Sequence, residues 1–250
     1  MLPIALERFM STRVSLFVTC LVDQFFPRIG LAMSDVLERV GYECEFRRDQ
    51  TCCGQPAFNS GFTGEAREVA RYFLKTFEDA DHIIVPSGSC SSMIRHHFAD
   101  LFHKDTGAQK AASELGTRVY EFTEFLTSVA QIDDVGARYE EVVTFHDSCH
   151  ALRELGIKSA PRRLLENVRG LELREMKRVE ECCGFGGTFS VKLSELSSDM
   201  LNGKIQSIVA TGASSVIGLD ASCLMHIEGG LRRRGLPVRT LHLAEVLASR

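Results

Sequence analysis

The chain has 250 residues, of which 44% are hydrophobic and 25% charged, and its formal net charge is −4 at pH 7. These values are typical of a globular protein with a sizeable core and room for one large or two small domains. Acidic and basic residues are interspersed without a Lys/Arg-rich run, which argues against a nucleic-acid partner. No apolar stretch reaches the roughly 18–20 residues of a transmembrane segment.

Residues 1–10 do not have the pattern of an export signal. They include Glu7 and Arg8 and lack a long apolar core followed by a small-residue cleavage site. Met10 is an alternative start, which would make residues 1–9 an extension. Nine cysteines are many for a chain without an export signal, and in a reducing cytosol they are more often metal ligands or redox groups than disulfides. We therefore expect a cytoplasmic protein that uses its cysteines for chemistry.

The predicted elements alternate between strand and helix. In chain order, the first half has a strand at 14–18, a helix over 29–40, a strand at 42–46, a helix over 66–77, a strand at 83–85, and a closing strand and helix over 118–126. The second half has a strand at 142–145, a helix with apolar residues over 193–208, a strand at 215–219, and a closing strand and helix over 238–247. Leu193 and Leu196 are expected on the apolar face of the 193–208 helix.

The cysteines reveal an internal duplication. Cys20 corresponds to Cys149, 129 positions later, and Cys90 corresponds to Cys223, 133 positions later. The adjacent pair Cys52-Cys53, followed by glycine, recurs 130 positions later as Cys182-Cys183-Gly184. We call Cys20, Cys52, Cys53 and Cys90 the first cysteine set, and Cys149, Cys182, Cys183 and Cys223 the second cysteine set. The interruption of the apolar pattern near 131–138 places the domains at 1–133 and 134–250.

Strands that alternate with helices predict βαβ units, so the predicted fold is α/β, with two tandem Rossmann-like domains that each contain a small parallel sheet flanked by helices. Because crossovers are right-handed, the carboxyl ends of all strands in a sheet lie at one edge. The cysteines of each set follow strands, so they should converge at this edge, where open α/β sheets usually bind ligands. The two halves should pack with pseudo-twofold symmetry and bring their cysteine edges together.

Four thiolates suit zinc, copper(I) or an iron–sulfur cluster. Zinc usually takes cysteines spaced two to four residues apart, whereas two adjacent cysteines could bind different irons of one cluster. Gly54 and Gly184 supply the backbone freedom for the turn that this requires. Two alternatives stay open: a structural zinc site, and a thiol–disulfide enzyme that uses the vicinal cysteines. Cys44, which has no counterpart, is interpreted as a buried apolar residue.

Several short runs resemble the cysteine-rich CCG-domain family of iron–sulfur proteins, which includes the catalytic subunit of heterodisulfide reductase and the glycolate oxidase iron–sulfur subunit. The runs that carry the resemblance across nearly the whole chain are Thr19-Cys20-Leu21-Val22, Gln50-Thr51-Cys52-Cys53-Gly54-Gln55-Pro56-Ala57, Pro86-Ser87-Gly88-Ser89-Cys90, His146-Asp147-Ser148-Cys149-His150, Glu181-Cys182-Cys183-Gly184-Phe185-Gly186-Gly187 and Asp220-Ala221-Ser222-Cys223.

The resemblance implies a [4Fe–4S]-type cluster in each half, held by the two cysteine sets. It also implies an electron-transfer role in a multi-protein complex that oxidises L-lactate to pyruvate. The implied partners are a ferredoxin-like iron–sulfur subunit and a third lactate-utilisation protein. Relatives of the heterodisulfide reductase type have a fifth cysteine per motif, but Met93 and His226 stand at those positions here. That departure argues against direct disulfide reduction and against a noncubane cluster.

Other residues near the cysteines have candidate roles. The backbone N–H groups of Ser87, Gly88 and Ser89 could bind an anion or cluster sulfurs, or the segment could simply cap a helix. His226 could ligate a cluster or donate to its sulfur. His146, Asp147 and His150 could relay protons or bind a carboxylate, but we favour the interpretation that Asp147 caps the helix after the strand.

Overall fold

The computed structural model describes residues 13–250. The predictions for residues 1–10, on an export signal and on an alternative start, lie outside the described residues. Among residues 13–250, no helix combines the length and apolar character that crossing a bilayer requires.

Two four-stranded parallel sheets form the centre of the molecule. The strands are β1 (Arg13–Leu16), β2 (Glu43–Phe46), β3 (Ile83–Val85), β4 (Val119–Glu121), β5 (Val142–His146), β6 (Glu172–Leu173), β7 (Ser215–Gly218) and β8 (Arg239–His242). The strand orders are β2-β1-β3-β4 and β6-β5-β7-β8, so the two sheets have the same topology. The predicted α/β fold with a duplicated parallel sheet is therefore confirmed.

Helices flank both sheets. In the first half they are α1 (Cys20–Phe25), α2 (Pro27–Arg39), α3 (Gln55–Asn59), α4 (Thr63–Thr76), α5 (Gly88–Ser92), α6 (Phe98–Leu101), α7 (Thr106–Gly116) and α8 (Phe122–Glu124), with π-helical turns at Met93–His97 and Phe125–Val129. In the second half they are α9 (Cys149–Arg153), α10 (Ser159–Glu166), α11 (Phe189–Lys192), α12 (Ser194–Val209), α13 (Ala221–Arg233) and α14 (Leu243–Ala248).

The two halves pack through equivalent elements, as a pseudo-twofold arrangement requires. Helix α2 of the first half lies against α14, the last helix of the second, and α10 lies against α8 in the same way. The Arg39 guanidinium, at the end of α2, donates to the carbonyls of Leu247 at 3.0 Å and Ala248 at 2.8 Å. Arg163 on α10 donates to the carbonyl of Thr127 at 3.3 Å. These arginines close carbonyls that a helix end leaves without an intrahelical partner.

A shared apolar core joins the halves. Val36 from α2, Leu164 from α10 and Leu247 from α14 are all buried in one cluster that also contains side chains of β1 and β5. Each half also has one smaller cluster of its own. The last cysteine of each set, Cys90 or Cys223, belongs to the cluster of its half. Apolar burial of this extent is the main force that holds the two halves together.

One helix face was predicted wrongly. Leu193 and Leu196 were expected to pack in the core, but each is 53% exposed. Helix α12 begins only at Ser194, and the face that it buries includes Ser197, Leu201 and Lys204. A buried lysine and serine on the inner face hid the true periodicity of the helix, because both residue types are ordinarily exposed.

Candidate metal centre

A single cavity of about 240 Å³ lies between the carboxyl edges of the two sheets. All eight cysteines of the two sets line it: Cys20, Cys52, Cys53, Cys90, Cys149, Cys182, Cys183 and Cys223. In each half, the first cysteine starts the helix after the first strand, the adjacent pair lies in the loop after the second strand, and the last cysteine lies in the helix after the third strand. The convergence expected from the parallel topology is thus observed.

The first cysteine set contains two close sulfur pairs. The Sγ atoms of Cys20 and Cys52 are 3.6 Å apart, and those of Cys53 and Cys90 are 3.1 Å apart. All nine cysteines of the chain are free thiols. The cysteines of this set come from three different segments, the helix α1, the loop after β2 and the helix α5, so the fold itself, and not a local sequence motif, brings their sulfurs together.

The second cysteine set repeats this arrangement and adds a histidine. Cys149 and Cys183 both interact with Cys182, and Cys183 also interacts with Cys223. One ring nitrogen of His146 and the Sγ atoms of Cys183 and Cys223 all lie within 4.8 Å of one another. Nitrogen and sulfur donors at such spacing can hold a transition metal ion.

The adjacent cysteines are held by a sharp backbone turn that is the same in both halves. Gly54 and Gly184 have φ values of +80° and +89°, which favour glycine. Their N–H groups donate to the Sγ atoms of Cys52 and Cys182, respectively, each at 3.4 Å. Such N–H···S contacts stabilise a thiolate at these two positions.

Crowding of the thiols separates their acidities. Hydrogen bonds from Cys20 and Cys53 lower the pKa of Cys52 to about 3, and the hydrogen bond that Cys20 donates raises its own pKa above the usual range. The second set behaves alike: Cys149 and Cys183 lower the pKa of Cys182 to about 2. Each set therefore contains one cysteine, Cys52 or Cys182, whose surroundings favour the thiolate, the form that binds a metal cation.

The segment Ser87–Ser89 binds an anion, but in this structure the anion is a carboxylate of the other half. Asp220 Oδ1 accepts from Ser87 Oγ at 2.6 Å, from Ser89 Oγ at 2.8 Å and from the Ser89 N–H at 3.1 Å. A larger residue than glycine does not fit at position 88, because its Cβ would lie 2.5 Å from the Cβ of Ala151 in α9. These contacts hold the segments that precede Cys90 and Cys223 against each other. A contact between Ser87, Gly88 or Ser89 and a cofactor stays a prediction.

Three other candidates lie away from the cavity. His226 is half-buried beside Ser197, whose Oγ is 3.3 Å from its Nε2, and it lines a separate pocket with Phe185. Met93 is fully buried in the first-half core cluster that contains several phenylalanines. Cys44 lies on β2, where burial raises the pKa of its thiol to about 11. The cofactor role of His226 stays a prediction.

Asp147 does not cap α9, contrary to expectation. The N-cap residue is Ser148, and it makes no side-chain capping bond. The buried Asp147 carboxylate instead accepts from the Arg162 guanidinium at 3.0 and 3.2 Å. A bidentate arginine satisfies a buried carboxylate better than one backbone N–H could.

Sequence reasoning missed Asp220 and Lys204. Asp220 lies 133 positions after Ser87, the same offset that relates Cys223 to Cys90, so the duplication itself placed the two residues at equivalent points. Lys204 is buried and donates from Nζ to the carbonyls of Arg178 and Val179, each at 3.0 Å, and so holds the loop that carries the second cysteine pair. No local pattern signals such a lysine.

The donor set fits an iron–sulfur group. Eight soft sulfur donors line one cavity, and each set already includes a sulfur that accepts a backbone N–H, the type of contact that tunes iron–sulfur centres. In the second half, both ring nitrogens of the fully buried His146 have no partner among the described residues. A buried polar group of this kind calls for a further binding partner.

Comparison with known proteins agrees with this geometry. The CCG cysteine-rich domain family matches residues 14–95 and 143–228, one match in each half. Lactate utilization protein A of Bacillus cereus (strain G9842) is 48% identical over 238 residues, which cover 95% of this chain and 99% of that protein. Lactate utilization protein A of Geobacillus sp. (strain WCH70) is 46% identical over 238 residues, covering 95% of this chain and all of that protein.

A solved structure shares the fold. A hypothetical protein from Helicobacter pylori superposes with a TM-score of 0.68 at 10% sequence identity, covering 94% of this chain and 48% of that one. At this identity the likeness concerns the fold alone. From the two matched domains and the near-full-length identity to its relatives, the chain belongs to the CCG cysteine-rich domain family and, within it, to the lactate utilization protein A family.

Proposed function

We propose that this chain is an iron–sulfur electron-transfer subunit of a lactate-oxidising system, with one [4Fe–4S]-type cluster in each half. The cluster of the first half is held by the first cysteine set and that of the second half by the second cysteine set. The observation that carries the proposal is the cavity between the two sheet edges, which is lined by all eight cysteines and by no other thiol.

The arrangement of the cysteines favours a cluster over a zinc ion. A structural zinc site usually takes its thiolates in pairs separated by two to four residues, which form a compact knuckle. Each set here contains one adjacent pair in a loop and two distant cysteines in separate helices. Such a spread suits an inorganic core with several iron corners, each of which takes its own thiolate.

When bound, iron–sulfur clusters accept and release single electrons. The residues of this chain hold, shield and couple the two centres. Gly54 and Gly184 direct N–H groups at the thiolates of the adjacent pairs, which favours the ionised sulfur. The contact of Gly88 with Ala151 and the hydrogen bonds from Ser87 and Ser89 to Asp220 keep the two sheet edges together, so that both centres would lie in one cavity. Proximity of this kind favours electron transfer between them.

The link to lactate comes from the relatives, which are named for lactate utilization. We infer that this chain serves the oxidation of L-lactate to pyruvate in a multi-protein complex. Its partners in this proposal are a ferredoxin-like iron–sulfur subunit and a third lactate-utilisation protein, and its location is the cytoplasm, where nine free thiols are maintained.

A thiol–disulfide enzyme is the second candidate, because the Sγ atoms of Cys53 and Cys90 are only 3.1 Å apart. In that case the dithiol would cycle through a disulfide without metal. The candidate leaves the other six cysteines of the cavity without a role.

Analysis of anaerobically purified protein distinguishes these functions. A cluster protein is brown, contains iron and acid-labile sulfide in similar amounts, and bleaches on reduction. Bleaching of this colour by lactate, observed only when the partner proteins are present, would support the lactate assignment. Colourless protein with zinc and no sulfide, or metal-free protein that keeps disulfide-reducing activity in the presence of a chelator, would refute the proposal.

A further inference from the structure

The two halves surround their cysteines with different side chains. His146, at the end of β5, precedes Cys149 by three residues, and Phe17, after β1, precedes Cys20 by three residues. His146 and Phe17 therefore occupy equivalent positions in the duplicated fold. An imidazole in the second half thus takes the place of a phenyl ring in the first.

A second replacement accompanies the first. The space beside Gly54 is bounded by Val69 of α4, and the space beside Gly184 by Met200 of α12, so these two helices correspond with an offset of 131 residues. The same offset relates Phe73 to Lys204. The second half thus has a buried ammonium where the first has another phenyl ring.

In the first half these positions form an apolar wall. The ring of Phe17 packs edge-on against Phe73, with centroids 4.9 Å apart, and against Phe77 at 5.8 Å. All three side chains are buried. This wall offers the first cysteine set no nitrogen donor.

In the second half the equivalent positions include a side chain with a nitrogen donor. His146 is fully buried, and neither of its ring nitrogens has a hydrogen-bond partner among the described residues. One of its nitrogens lies within 4.8 Å of the Sγ atoms of both Cys183 and Cys223.

We propose that His146 is a direct nitrogen ligand of the second-half metal centre, beside Cys183 and Cys223 and in the place of one thiolate of the second cysteine set, whereas the first-half centre has thiolate ligands only. The inference rests on the proposed function, because it assumes a metal centre in each half. The wall of phenylalanines leaves the first-half centre with thiolates only.

The asymmetry gives the two centres different tasks. A neutral imidazole ligand adds no negative charge, and replacement of thiolate by histidine is known to raise the potential of iron–sulfur centres. The buried Lys204 side chain also interacts electrostatically with Cys182 and Cys183 of the same set. The second-half centre is therefore the one with the higher reduction potential, and it receives electrons from the first-half centre.

Isotope-edited pulsed electron paramagnetic resonance tests the ligand directly. The protein is prepared anaerobically with iron and sulfide, once at natural abundance and once with ¹⁵N-labelled histidine, and is then reduced. We expect a strong nitrogen coupling from a metal-bound imidazole, which changes with the histidine label. The coupling should persist in Cys53→Ser, which removes a ligand of the first-half centre only.

Two histidine variants assign the residue. His146→Phe copies the first half and should abolish the strong coupling and lower the higher of the two reduction potentials, while the signal of the first-half centre is unchanged and serves as an internal control. His226→Phe, in the same half, should leave the coupling in place. If His146→Phe does not fold, labelled His226→Phe and His150→Phe still decide the question, because His150 Nδ1 lies 3.5 Å from Cys149 Sγ and both variants should keep the strong coupling if His146 is the ligand.

Other outcomes separate this inference from the proposed function. Protein with iron and sulfide in both halves but only weak nitrogen couplings, as from N–H groups near sulfur, would overturn the His146 ligand and leave the proposed function intact. The same holds if the strong coupling disappears in His226→Phe. Protein without iron and sulfide would overturn both.

Discussion

Replacement of Gly184 by alanine tests how the fold holds the adjacent cysteines. Gly184 has a φ of +89°, and a Cβ at this position would lie 2.6 Å from the carbonyl oxygen of Ser197 and 3.0 Å from the Cβ of Met200. The left-handed backbone costs an L-residue about 1–2 kcal/mol. Overpacking against a helix backbone, which cannot move aside, adds about 1–3 kcal/mol.

We therefore expect Gly184→Ala to lower the free energy of unfolding by about 2–5 kcal/mol, which for a chain of this size lowers Tm by roughly 4–20 °C. Gly187→Ala is the matched control in the same loop, because Gly187 also has a positive φ, +61°, but has nothing within 4 Å of the added Cβ. Gly54→Ala is a second control, because its added Cβ would meet only the Val69 side chain at 3.3 Å and the Ala66 carbonyl at an ordinary 3.5 Å. Both controls should cost about 1–2 kcal/mol.

Urea denaturation of the metal-free variants, followed by far-ultraviolet circular dichroism, measures these differences. The predicted order of destabilisation is Gly184→Ala above both Gly54→Ala and Gly187→Ala. If Gly184→Ala were no more destabilising than Gly187→Ala, the close approach of the second-half turn to α12 would not constrain the protein, and the reasoning would be refuted.

Three further predictions concern buried polar groups. Asp220→Ala removes three hydrogen bonds that join the halves and should cost about 1.5–3 kcal/mol of unfolding free energy in urea denaturation, and wild-type stability would contradict this role. Lys204→Met leaves two buried carbonyls without their donor and should cost about 1–3 kcal/mol of unfolding free energy in the same assay. A variant more stable than the wild type would contradict this, because it would show that the cost of burying the ammonium exceeds the gain from its hydrogen bonds. Burial raises the pKa of Glu121 from 4.5 to about 8, so the folded state prefers the neutral acid. The resulting stabilisation is fully present below pH 4.5 and is lost as the pH rises towards 8. A pH series of denaturation curves should show that Glu121→Gln does not lose stability in this range. Identical pH profiles of the wild type and Glu121→Gln would contradict the raised pKa of Glu121.

The sequence was sufficient to predict the features that repeat. The constant offset between Cys20 and Cys149, and between Cys90 and Cys223, predicted the duplication, and the strand before each cysteine predicted the shared sheet edge. These predictions succeeded because a parallel βαβ topology determines where residues after strands lie.

The features that differ between the halves could not be predicted. The contact of His146 with Cys183 and Cys223, and the burial of Lys204, depend on packing across elements that are distant in the sequence. The exposure of Leu196 has the same origin, because the face that α12 buries is set by the loop and helices against it and not by its own apolar pattern. Tertiary contacts outweigh local pattern at such positions.

The iron and sulfide content of cysteine variants decides whether each cysteine set holds its own iron–sulfur centre. Cys53→Ser and Cys183→Ser, prepared anaerobically, should each retain about half of the wild-type iron and sulfide, since each removes a ligand of one centre. Cys44→Ser should retain all of it, because Cys44 lies on β2 away from the cavity. Equal iron and sulfide in the wild type, Cys53→Ser and Cys183→Ser would contradict the account.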